Sequence, residues 1–167
     1  MSLYCLSTIM LSMVSMLSCS NPEPEDYLLP EGFKGRATVI FNQKEGASPK
    51  YENGKRVYEI PANGILLTQF KDEYGIVNHH YYYVDSNGKR TALPIYQYEY
   101  NKDGTTKWIV KNENETGIFS DGTTGQYGEG TSAPFQFFTV SSYNGLDTIE
   151  SNDIFNHRIN KLIGANL

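Results

Sequence analysis

From residue 35 onward, apolar and polar positions alternate in short runs separated by turn residues. In 35–42, Ala37, Val39 and Phe41 fall on one side of an extended segment, with Thr38 and Ile40 on the other. That predicts a strand apolar enough to be central. Asn53-Gly54 is a turn, 56–60 a strand stopped by Pro61, and Asn63-Gly64 a second turn before a strand over 65–70. Residues 76–84 form a Tyr-rich strand that ends in a hairpin turn at Asp85-Ser86-Asn87-Gly88. Strands follow at 95–100, 106–111 and 134–141, the first two joined by Asn101-Lys102-Asp103-Gly104. Residues 117–130 hold Gly117, Gly122, Gly125, Gly128 and Gly130 and read as a long surface loop. In 153–163, Phe155, Ile159, Leu162 and Ile163 recur at helical spacing before Gly164, which predicts a short C-terminal helix. Many short strands at hairpin spacing predict an all-β fold: a single antiparallel β-sandwich, or small barrel, with that one helix.

The first 18 residues follow a different rule. They contain no Asp, Glu, Lys or Arg, and 6–17 is an apolar run broken by Ser. It is too short and polar to span a bilayer, which takes about 20 apolar residues, and it suits a signal peptide. Met16-Leu17-Ser18-Cys19 resembles the lipobox of bacterial lipoproteins, with Met16 where Leu is usual and no basic residue after Met1. The resemblance implies a diacylglycerol on the Cys19 sulfur, cleavage before Cys19 and a further acyl chain on its amine. The organisation expected is a signal peptide over 1–18, a flexible acidic tether over 19–30 and a β-sandwich domain over 31–167. Pro22, Glu23, Pro24, Glu25 and Asp26 carry the tether reading, being polar and Pro-broken. Ser20 resembles the pattern of lipoproteins sent to the outer membrane, and the acidic stretch resembles surface-export tethers. The expected place is the outer membrane of a bacterial envelope, lipid-anchored and surface-exposed, with the membrane as partner through the anchor.

Composition removes several classes. The chain has 167 residues, enough for one domain with a core. Its net charge is −5 and its 14 Lys and Arg are scattered, so no nucleic-acid partner is expected. Cys5 and Cys19 are the two cysteines, so a mature chain from Cys19 has no internal disulfide. His79 and His80 are adjacent on a strand and point to opposite faces. With His157 as the third His, no His-Glu-x-x-His and no Cys pair, neither metal nor cofactor is expected. There is no Gly-x-Ser-x-Gly elbow, and nothing singles out a pair among Glu59, Asp72, Glu73, Glu99 and Asp121. The expectation is a protein without catalytic residues, not an enzyme.

Two stretches carry a family likeness. Leu29-Pro30-Glu31-Gly32-Phe33-Lys34-Gly35 precedes the first strand; then come 51–66, Tyr-Glu-Asn-Gly-Lys-Arg-Val-Tyr-Glu-Ile-Pro-Ala-Asn-Gly-Ile-Leu, and Tyr81-Tyr82-Tyr83-Val84. They resemble an uncharacterised family of small bacterial lipoproteins, a domain of unknown function, over about residues 29–140. That likeness implies no activity and no catalytic residue. Tyr58-x-Ile60-Pro61-x-x-Gly64 is also similar to prealbumin-like and carboxypeptidase-regulatory-like sandwiches.

Tyrosine supplies the functional lead, with 13 in the chain. Tyr96, Tyr98 and Tyr100 share one strand face, and Tyr81 and Tyr83 share another, with Tyr82 opposite. A Tyr ring offers an apolar body and a polar tip, suited to sugar stacking or protein contact. The expected function is a non-catalytic binding or adhesion domain for a glycan or protein partner; the alternative is a structural accessory subunit of an envelope complex. Asp147-Thr148-Ile149 resembles the Asp-Ser/Thr-apolar acceptor of bacterial O-glycosylation, which implies a sugar on Thr148.

Overall fold

The computed structural model describes residues 22–73, 75, 77–127 and 133–164. In chain order they form β1 (Glu25–Pro30), β2 (Gly35–Ile40), β3 (Tyr51–Glu52), β4 (Lys55–Glu59), β5 (Ile65–Leu67), β6 (His79–Val84), β7 (Arg90–Ala92), β8 (Gln97–Tyr100), β9 (Thr106–Ile109), β10 (Gly117–Tyr127), β11 (Ala133–Ser141) and α1 (Asn152–Ile163). One sheet has the order β3-β4-β1-β6-β7, a second β10-β11-β2-β5, and β8-β9 stand apart as a hairpin. The two larger sheets face each other. Tyr27, Leu29, Tyr58 and Tyr81 from the first share one core with Ala37, Val39, Ile118, Phe138 and Val140 from the second. This is the all-β sandwich, and it does not close into a barrel.

The two-sided apolar pattern of β2 has a simple cause. Ala37 and Val39 enter the core between the sheets. Ile40 turns the other way and packs with Ile65 against Phe155 and Ile159 of α1. Each such fully buried side chain contributes roughly 1.5–3 kcal/mol, which is what holds a helix of 12 residues onto the sheet. Ser151 caps α1 by accepting from the Ile154 N–H, and Gly164 ends it in the left-handed region at φ 68°.

Two expectations are corrected. Residues 25–30 are not tether: they form β1, hydrogen-bonded between β4 and β6 in the middle of the five-stranded sheet. The charges of Glu25 and Asp26 suggest solvent, yet both residues are buried because partners distant in sequence meet them. Asp26 pairs with Lys55 at 3.1 Å on the outer face. Glu25 faces the core side with Tyr27.

The Gly-rich segment is likewise no loop up to Tyr127. It is the long edge strand β10, paired with β11 through an irregularity between Phe119 and Thr123. Its glycines make room for rings. A Cβ on Gly117 would come within 2.5 Å of Tyr96 Cε2, and one on Gly125 within 2.6 Å of Phe135 Cζ.

The sandwich is mostly antiparallel, as expected, with parallel pairs inside it. β1 runs parallel to β4 and β6, and β2 runs parallel to β5. Between β1, β4 and β6 the chain crosses to the other sheet through β2 and β5, so these strands enter their sheet in the same direction, while β3 is the antiparallel hairpin partner of β4.

Candidate functional site

The expected Tyr face divides. Tyr81 is 1% exposed and stacks on Tyr27 at 4.7 Å inside the sandwich. It is a core residue, which removes it from any surface. Tyr83 is half-buried, and its hydroxyl donates to the Phe33 carbonyl at 2.5 Å. Tyr96 is 8% exposed, lies 4.8 Å from the Phe119 ring and donates to the Glu115 carbonyl at 3.2 Å. It too is buried, because it precedes β8 and sits over Gly117.

Tyr98 and Tyr100 do share an exposed face, at 47% and 70% exposure. Their rings meet edge to face at 5.4 Å, and Tyr98 meets Trp108, its cross-strand partner, at 5.2 Å. Trp108 in turn lies 5.0 Å from Phe119. A lone two-stranded hairpin is marginal in water, and the Trp108–Phe119 contact fixes β8–β9 to the sandwich, with Tyr98 and Tyr100 outside that anchor.

A second constellation escaped the sequence reading. Glu25, 3% exposed, accepts from Tyr27 at 2.5 Å and from Tyr58 at 3.0 Å. His79 lies between two carboxylates, with Nε2 3.4 Å from Glu25 and Nδ1 2.8 Å from Asp121. Tyr81 donates to the same Asp121 oxygen at 2.6 Å, and the Gln136 amide meets His79 Nε2 at 3.2 Å. Burial, and then the nearby carboxylates, push the Tyr27 and Tyr81 hydroxyls well above the ordinary phenol range, so both remain neutral donors. Burial works to raise the Asp121 carboxyl, but the bonds from His79 and Tyr81 outweigh it and hold it below the usual carboxylate range. The register β1 to β6 aligns Glu25 with His79, and β10 brings Asp121 across from the other sheet. Sequence separation of 54 and 42 residues hides the set.

The cluster forms the inner wall of a cleft. Two cavities, of ≈310 and ≈220 Å³, share Glu73, Thr124 and Gln136. The first reaches His79 and Asp121; the second reaches Phe41 and Phe135. Arg56 fixes the outer wall. It donates to Glu23 at 2.8 Å, to the Lys71 carbonyl at 2.7 Å and to Glu73, and its guanidinium lies over Phe70.

His80, as expected, turns to the opposite face, where its Nδ1 lies 3.3 Å from Asp26. Thr148 is exposed, and its hydroxyl donates to the Gly145 carbonyl at 2.7 Å. Cys19 and the 1–18 segment lie outside the described residues.

Residues 21–145 match the profile of a family described as a Family of unknown function (DUF6843). A crystal structure of a candidate lipoprotein from Bacillus anthracis is similar, with a TM-score of 0.59 and 21% identity over 85% of this chain and 92% of that one. At that identity the likeness carries the fold. No curated protein matches.

Proposed function

The chain belongs to the DUF6843 family of unknown function, and on that premise we propose a lipid-anchored envelope lipoprotein whose β-sandwich binds rather than catalyses. The β8–β9 hairpin is its contact surface for a glycan chain or a protein. The observation that carries this is the exposed edge-to-face pair of Tyr98 and Tyr100, with Tyr98 against an anchored Trp108. Exposed aromatic rings held in fixed geometry give contact area at low entropic cost. The lipobox at Cys19 supports the anchor, as does the description of the Bacillus anthracis neighbour as a candidate lipoprotein. Ser20 supports delivery to the outer membrane.

The correction to the tether matters here. Glu23 is already held by Arg56 and by the Tyr51 hydroxyl at 3.2 Å. From Cys19 to Glu23 an extended chain reaches only about 14 Å, so an acylated domain rides close to its bilayer.

A double variant, Tyr98→Ala with Tyr100→Ala, tests the reading. Its melting temperature is expected to stay near wild type while capture of glycans on an array, or of a protein partner in a pull-down, is lost. Glycan binding by the isolated wild type assigns recognition. A stable protein partner without glycan binding assigns an accessory subunit of an envelope complex. Unchanged capture by the double variant removes the hairpin from either role.

A further inference from the structure

A separate cavity, of ≈360 Å³, opens beside α1, with Arg36, Phe137, Asn152, Phe155 and Asn156 in its lining. The strand pattern brings the first two to one side. Ala37 and Val39 of β2, and Phe138 and Val140 of β11, enter the core between the sheets. Arg36 and Phe137 are one residue out of step with them and therefore face away from that core. The register pairs Arg36 with Thr139 and Thr38 with Phe137, so Arg36 and Phe137 are diagonal neighbours on the outer face. α1 covers the same face, where Phe155 and Ile159 pack with Ile40. Asn152 and Asn156 lie one turn apart on that helix.

Arg36 is the charge that the fold leaves unanswered. Arg56 pairs with Glu23 and Glu73, Arg90 with Glu52 and Asp26, and Arg158 with Glu150. The chain has 19 Asp and Glu against 14 Lys and Arg, yet among the described residues no carboxylate pairs with Arg36. Its Nε donates to the Glu150 carbonyl at 3.0 Å, which holds the half-buried side chain in place. The Glu150 carboxylate is itself turned to Arg158. The two terminal nitrogens of Arg36 are left as the open edge of the fork, and that edge matches the two oxygens of a carboxylate. The Asn152 and Asn156 amides likewise have no hydrogen-bond partner among the described residues. A dianionic phosphate calls for more positive charge than this; among the described residues Arg36 is the one cation in the lining.

We infer that this cavity binds a small organic acid, a monocarboxylate on an aryl or short alkyl body. Arg36 takes the carboxylate end-on, and the Asn152 and Asn156 amides donate to it. Phe137, half-buried, and Phe155, buried, form the apolar wall for the body. A cavity of this size sits at the small end of the range for ligand pockets, about 300–1,000 Å³, which suits one ring or a short chain. The site is independent of the hairpin: it is built by β2, β11 and α1.

The test is isothermal titration calorimetry on the full chain purified in detergent. The probes are 3-phenylpropionate and hexanoate. Three controls separate the contributions: 3-phenylpropionamide keeps the body without the charge, acetate keeps the charge without the body, and inorganic phosphate is the dianion. At least one of the two acids is expected to bind saturably below about 10 mM, as fits ligands of so few atoms. The amide and acetate should bind at least about tenfold more weakly. Arg36→Gln should weaken the acid about tenfold or more, the equivalent of one lost charge-assisted hydrogen bond. Should Arg36→Gln fail to fold, Asn152→Ala decides in its place, since residue 152 is exposed, and a severalfold loss is expected. Saturable binding by neither acid overturns the inference. So does equal binding by the amide, preference for phosphate, or unchanged binding by the deciding variant.

Discussion

Tyr81 on β6 donates its hydroxyl proton to Asp121 on β10 at 2.6 Å, a hydrogen bond that joins the two sheets at the inner wall of the cleft. Because the folded protein holds the Asp121 carboxyl below its usual range, its contribution to stability has a definite sign. It is fully present above the unfolded value, about 3.9, and is lost as pH falls through the lower folded value. Asp121→Asn should therefore be less stable than wild type at pH 7, with the gap narrowing below about pH 4. Urea midpoints measured across that range check it, and a constant gap would contradict it.

Glu25 is the acceptor for two buried hydroxyls, those of Tyr27 and Tyr58. Glu25→Ala removes both acceptors, and each orphaned donor costs about 1–3 kcal/mol. Glu25→Gln keeps a carbonyl oxygen and should lose less. The expected order in urea denaturation is wild type, then Gln, then Ala; a Gln variant less stable than the Ala variant would show that charge rather than hydrogen bonding matters at this position.

The tyrosines around β8 should separate by burial. Tyr96→Ala empties a buried position against Phe119 and should cost roughly 3–5 kcal/mol. Tyr100→Ala, at 70% exposure, should change stability by less than about 0.5 kcal/mol. Single variants in one denaturation series give both numbers. Equal effects at the two positions would contradict the division of the stripe.

Lipidation is expected at Cys19. Cells grown with a clickable palmitate analogue should label the wild-type protein and leave Cys19→Ala unlabelled and released from membranes. A Cys19→Ala protein that keeps both label and membrane association refutes the anchor.

Much of the fold was legible because it is local. The 35–42 alternation became β2, the Asn53-Gly54 turn joins β3 to β4, and Phe155 and Ile159 face the core of α1 as their spacing predicted. The misses share one cause. Glu25 and Asp26 look like tether, and 117–127 looks like loop, when each is judged by its own residues. Their partners, Tyr58, His79, Lys55, Phe135 and Tyr96, all lie outside the segments themselves.

The sequence by itself determined the strand-rich class, the C-terminal helix with its Gly164 stop, and the lipobox-like run ending at Cys19, since each is written in consecutive residues and their periodicity. Only the tertiary structure decided that β1 is a central strand, that Tyr81 and Tyr96 are core while Tyr98 and Tyr100 are surface, and that Glu25, His79 and Asp121 meet. Alternation says which residues share a strand face. Whether that face meets water, a ring or a carboxylate depends on which strand lies opposite, and strand order and sheet-to-sheet packing are properties of the whole chain.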